Sequence, residues 1–213
     1  MKRTVFIGTY TGGESKGIYA LRFDDETEAL DDFRLAAETP SPSFLALHPN
    51  KKFLYAVNET RDYEGTTSGS ITAFEITDVR GGVLEKLNTK SAHGGSPCHL
   101  AVTPEGISVI TANYHGGTVG VIEIKPDGSL GKTLNAIKHE GSSVNKARQE
   151  APHPHAVNVD PNGRFVFVAD LGTDTIEKYR LRESGQLTPL NEPTRVAAGS
   201  GPRHFAFHPS GRF

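Results

Sequence analysis

A segment of nine residues recurs four times in this chain, and no other feature limits the fold so tightly. The copies are Ser41–Pro49 (SPSFLALHP), Ser96–Pro104 (SPCHLAVTP), His153–Pro161 (HPHAVNVDP) and Gly201–Pro209 (GPRHFAFHP). Each holds a proline, a short β-like run and a second proline seven residues later. The closing prolines, at 49, 104, 161 and 209, are spaced by 55, 57 and 48 residues. Units of that length exceed ankyrin or tetratricopeptide repeats and match a four-stranded propeller blade. The 213 residues hold about four such units.

Each unit reads as four strands. The first follows the opening proline, at Phe44–His48, His99–Thr103, His155–Asp160 and His204–His208. A proline turn leads to an apolar second strand, at Phe53–Val57, Val109–Ala112 and Phe165–Ala169. Proline fixes φ at the first corner of the turn, and Asn or Gly tolerates a positive φ after it. Third strands follow at Ser70–Ile76, Thr118–Ile124 and Thr175–Leu181, and short fourth strands near Leu84, Leu130 and Leu187. At the N-terminus Thr4–Tyr10 matches a second strand and Ile18–Phe23 a third, with no first strand before them. The expected fold is all-β, a propeller of four-stranded antiparallel blades in which a C-terminal strand would close the ring. The last residues, Ser210–Phe213, stand where earlier copies enter a strand. We therefore read residues 1–213 as one partial propeller domain, the N-terminal piece of a longer protein. Such a piece is expected to expose a strand edge and apolar blade faces.

In a propeller the first strand of each blade lines the central channel. Because neighbouring strands are antiparallel, the start of the first and the end of the second meet at one mouth. The copies differ there, as expected if each blade adds a different group to one asymmetric site. Starts of first strands supply His99, His155, Arg203 and His204, and ends of second strands supply Glu59, Asn113 and Asp170. Asn58, Asn113 and Asp170 have an equally good reading as turn-holding residues. His48 and His208 sit at the far end of the first strand and read as turn residues, while His93 and His115 carry no sharp signal. The long connection 138–152 enters at the same mouth and reads as a lid, with Arg148 and Gln149 as substrate contacts; Arg61–Gly65 is a second mouth loop.

The formal net charge of −2 and the absence of a Lys/Arg cluster argue against nucleic acid as a partner. A single cysteine, Cys98, rules out an internal disulfide framework and suits a reducing compartment. No apolar run approaches a membrane span, and the apolar stretch Val5–Ile7 is too short for a signal-peptide core. The expected location is therefore cytoplasmic. No Trp is present, which excludes the WD signature of many scaffolding propellers. No dinucleotide or P-loop motif appears, and His153 and His155 are not read as a metal pair. No cofactor is expected.

Several tracts resemble the lactonase-type seven-bladed propellers, the family of the bacterial propeller 6-phosphogluconolactonase. They are Gly8-Thr9-Tyr10-Thr11, Val57-Asn58-Glu59, Pro97-Cys98-His99, Arg148-Gln149 before Pro152-His153-Pro154-His155, and Gly201-Pro202-Arg203-His204. The likeness runs through the whole chain in order and also extends to a fungal muconate-lactonising enzyme of the same fold. It implies four of seven blades and hydrolysis of a phosphorylated sugar lactone, 6-phospho-glucono-1,5-lactone, in the pentose phosphate route. By position, His155 matches the histidine of the muconate enzyme's proposed site and Arg203 one of its arginines. A glutamate and a second arginine of that site would fall after Phe213. A neutral His155 would accept a proton from water, and Arg203 would stabilise the oxyanion or clamp an anionic group. His99 and Arg148 are phosphate candidates, Glu59 a holder of a sugar hydroxyl or of a histidine, and His153 a further substrate contact. A muconate-type cycloisomerase and a non-enzymatic binding propeller are the alternatives.

Overall fold

The computed structural model describes residues Met1–Phe213. The chain forms four consecutive antiparallel sheets. The first is β1 (Lys2–Ile7), β2 (Gly17–Asp24) and β3 (Leu30–Glu38), and the second β4 (Leu45–Leu47), β5 (Phe53–Asn58), β6 (Ser70–Asp78) and β7 (Val83–Ser91). The third is β8 (Pro97–Val102), β9 (Ser108–Asn113), β10 (Thr118–Ile124) and β11 (Leu130–Lys138). The fourth is β12 (Pro154–Val159), β13 (Phe165–Asp170), β14 (Thr175–Leu181), β15 (Leu187–Pro189) and β16 (Thr194–Arg195), with β15 and β16 both paired to β14. Apart from β16, strands within each sheet pair in chain order, as in propeller blades.

The packing follows from the period-2 alternation of strand side chains. On β5, Phe53, Tyr55 and Val57 face the third sheet, where they join Leu100, Val109, Ile122 and Leu130. Leu54 and Ala56, between them, face the first sheet and pack with Ile18, Phe74 and Leu84. On β9 the same split occurs: Val109 joins the first group, while Ile110 and Ala112 meet Val157, Val166 and Val168 of the fourth sheet. Every residue of β5 and β9 is therefore buried. Each large side chain so buried contributes about 1.5–3 kcal/mol. The outer face of the first sheet has no such neighbour, and Val5, Ile7, Phe33 and Leu35 are exposed on it.

The repeat writes the same turn four times. The N–H groups of Lys51, Gly106, Gly163 and Gly211 donate to the carbonyls of His48, Thr103, Asp160 and His208, each at 2.8 Å. All four donors have positive φ, between 60° and 71°. In the first copy it is Lys51, not Asn50, that takes the left-handed conformation. The His48 and His208 rings hold their turns by accepting the N–H groups of Asn50 and Ser210.

The strand reading needs three corrections. Fourth strands β7 and β11 are nine residues long rather than short, because bulges let them follow the twist of β6 and β10. Leu30–Glu38 adds a strand to the N-terminal sheet. His204–His208 is not a strand: no second strand of its blade is present to complete the ladder, although its turn is formed.

Candidate active site

Each first strand is pinned to its second strand at the mouth by one repeated hydrogen bond. The carbonyls of Ser41, Ser96 and His153 accept from the N–H groups of Glu59, Tyr114 and Leu171, at 3.0, 2.9 and 3.1 Å. Ser41, Ser96 and Gly201 precede the opening proline and are all left-handed, at φ 40°, 53° and 54°. That corner places the residue after each proline at a common point, and Ser43, Cys98, His155 and Arg203 all line one cleft of about 380 Å3.

On one wall Tyr10 and Ser43 hydroxyls donate to Glu59 Oε2 at 2.8 and 2.5 Å. Opposite, Arg203 Nη2 meets His155 Nε2. A guanidinium can only donate, so Nε2 is the acceptor and the proton of neutral His155 sits on Nδ1. The His155 Nδ1 is buried without a partner. Burial, then the Arg203 charge and then His204, push the His155 pKa down to about 4, so the ring is neutral near pH 7. His204 sets its ring edge-on to His155 at 4.9 Å, and Tyr114 does so at 5.8 Å. Tyr114 stacks on His153 at 4.3 Å and receives Arg148 Nη2 on its hydroxyl at 3.2 Å. Cys98 is held as a thiol, its pKa pushed up to about 12 by burial and by the Glu59 charge. Neither Arg148 nor Arg203 forms a salt bridge with a carboxylate, so the cleft presents free cations to an anionic ligand.

Glu59, Arg148, His155, Arg203 and His204 are thus brought together. His99 lies beneath them, buried between Phe44 and His204, and burial pushes its pKa down to about 4. His153 backs the site rather than lining it, through Nδ1 to the Tyr114 carbonyl and Nε2 to Glu150.

Three expected site residues are drawn into the framework instead. Asn113 donates to the Ala92 carbonyl and to Thr118, as Asn58 does to Thr39 and the Pro40 carbonyl. Asp170, fully buried, accepts from His139 Nδ1 at 2.6 Å and from the N–H groups of His153 and Gly172. In each blade this residue ties down the incoming connection: Asn58 and Asp170 do so with both side-chain polar atoms bonded, and Asn113 through Nδ2 alone, its Oδ1 being buried without a partner. Gln149 bonds the Leu171 carbonyl and Asp174 and is buried. With Asp174 also bound by Ser143, Gly199 and Gly201, the 138–152 connection is anchored to the fourth sheet, and only Arg148 reaches the cleft.

Sequence reading missed Tyr10, Ser43, Cys98, Tyr114 and His115 as cleft residues. For Ser43 and Cys98 the signal was repeat position, since they align with His155 and Arg203. Tyr114 aligns with Glu59 in the same way, whereas His115 has no such cue.

Four blade-like sheets with a polar, cationic cleft where their inner strands begin define a β-propeller of the ligand-binding or catalytic kind. Residues 4–213 match the family model "Lactonase, 7-bladed beta-propeller", and the chain belongs to that family. It is 38% identical over 208 residues to the 6-phosphogluconolactonase of Bacillus subtilis (strain 168), covering 98% of this chain and 57% of that protein. A crystal structure from Bacteroides fragilis superposes with a TM-score of 0.91 at 37% identity, over 99% of this chain and 59% of that one. The periplasmic gluconolactonase of Pseudomonas aeruginosa gives a TM-score of 0.91 at 30% identity, over 100% of this chain and 60% of that one. The chain thus spans a little under two thirds of the length of these relatives.

Proposed function

We propose that the protein carrying this chain is a lactone hydrolase and that its substrate is 6-phospho-glucono-1,5-lactone. The observation that carries the reading is the contact of a neutral, partly buried His155 with Arg203, which has no carboxylate partner, in a cationic cleft. The family and the Bacillus subtilis relative support the same chemistry. In the resting site Arg203 donates to His155 Nε2. When the lactone binds, its carbonyl oxygen takes over the Arg203 hydrogen bonds and Nε2 is released to a water molecule. Attack of that water on the carbonyl carbon passes its proton to Nε2, while the oxyanion collects on the guanidinium. The tetrahedral species then breaks its ring C–O bond, and the imidazolium returns the proton to the leaving ring oxygen. Glu59, fixed by Tyr10 and Ser43 on Oε2, offers Oε1 to a sugar hydroxyl.

The test is lactone opening followed by proton release, corrected for the spontaneous rate, in the full-length protein carrying this sequence and in the 213-residue chain. Loss of the enzymatic component in His155→Ala and in Arg203→Ala, with folding intact, is expected. Wild-type rates in both variants would remove the proposed roles.

A further inference from the structure

Beside the mouth, between the second and third sheets, lies a second cleft of about 540 Å3 that shares His115 with the first. Its lining includes Arg61 and Lys138 and has neither a carboxylate nor a hydrophobic side chain. Arg61 donates from Nε to Ser96 Oγ at 3.2 Å and lays Nη2 against the His115 ring. Lys138 Nζ caps the Gly116 carbonyl at 2.6 Å. Neither cation forms a salt bridge.

The floor is main chain. Gly94, Gly95 and Gly116 come together so closely that a Cβ on Gly116 would sit 2.6 Å from Gly94 Cα and 2.8 Å from Gly95 N. The Gly94 and Gly116 N–H groups are taken by Ser68 Oγ and the Gly95 carbonyl. The Gly95 N–H donates to no protein group. Free cations, an unused backbone donor and no competing carboxylate are the requirements of a phosphate site. The cleft is complete within residues 61–138.

We propose that this lateral cleft is the phosphate subsite, with Arg61 and Lys138 as the groups that select a phosphorylated over an unphosphorylated sugar lactone. The proposal rests on the hydrolase reading above. Ring-to-ring steps of 5.8 Å from His155 to Tyr114 and 4.9 Å from Tyr114 to His115 mark the path between the two clefts. In this assignment the lactone carbonyl lies at His155 and Arg203 and the phosphate on the Arg61 side of the path. The phosphate carries about −1.5 to −2 charges at pH 7.

The experiment compares kcat/KM for 6-phospho-glucono-1,5-lactone and for glucono-1,5-lactone in the full-length protein carrying this sequence. Arg61→Gln should lower the ratio of the two by about tenfold or more, the value of one charged hydrogen bond. Lys138→Gln, which leaves the Arg61–Ser96 contact intact, should lower it in the same direction and covers the case of an unfolded Arg61 variant. An unchanged ratio, or equal losses on both lactones, overturns the assignment. If wild type opens neither lactone, the hydrolase reading fails by itself. Calorimetric binding of 6-phosphogluconate against gluconate then decides the subsite: a preference for the phosphorylated acid that Arg61→Gln removes upholds it, and equal affinities overturn it.

Discussion

Acid tolerance of the reaction is the sharpest consequence of the His155 environment. The proposed base works only when neutral. In water a histidine has a pKa near 6.5, so about one tenth would be neutral at pH 5.5 and a rate that depends on it would fall about tenfold from its plateau. Burial first, and the Arg203 charge second, bring the His155 pKa to about 4. At pH 5.5 the ring is then almost wholly neutral, and the enzymatic rate should stay within about a factor of two of its value at pH 7.5. The assay is kcat/KM across pH 3.5–8 in the full-length protein carrying this sequence, with spontaneous opening subtracted at each pH. Half-loss should come near pH 4. In Arg203→Gln the residual activity should show an acid limb moved upward, but only partly, because burial remains. A wild-type limb centred near 6.5 would refute the reasoning, since it would mean that His155 is solvated or is not the base.

Other consequences concern the framework. Asp170→Ala strands three donors, His139 Nδ1 and the N–H groups of His153 and Gly172, and should lower unfolding free energy by about 3–5 kcal/mol in urea titrations; a loss below about 1 kcal/mol would contradict that role. Gly172→Ala should destabilise by about 1–3 kcal/mol and lower Tm, because its Cβ would lie 1.9 Å from the Ala151 carbonyl oxygen, which is main chain and cannot swing away. Stability should fall as pH drops from about 6.5 towards 4: the unfolded chain binds protons at His99 and His155 that the folded chain refuses until its own pKa values near 4 are reached. His99→Phe should flatten that slope in denaturant titrations run at several pH values, and an unaltered slope would exclude His99 as a contributor.

The recurring Pro-x6-Pro frame and the alternating strands made the blades legible from sequence, because both the turn and the two-sided burial of β5 and β9 are local consequences of residue type and spacing. The repeat also pointed to the mouth: Glu59, His155, Arg203 and His204 reach one cleft because equivalent positions in successive blades converge. What sequence could not decide was which polar residues at that mouth are already spent. Asn113, Gln149 and Asp170 look as available as Glu59 in a linear reading, yet each is held in the framework by a partner distant in sequence (Ala92, Asp174 and His153), on connections whose path only the packed sheets define. His115 stands among the cleft residues for the converse reason: no motif marks it, but the Gly94-Gly95 and Gly116 backbones pack together and set its ring beside Arg61. Repeat position is written in the chain itself, whereas the number of hydrogen-bond partners left to a polar atom is a property of the assembled blades.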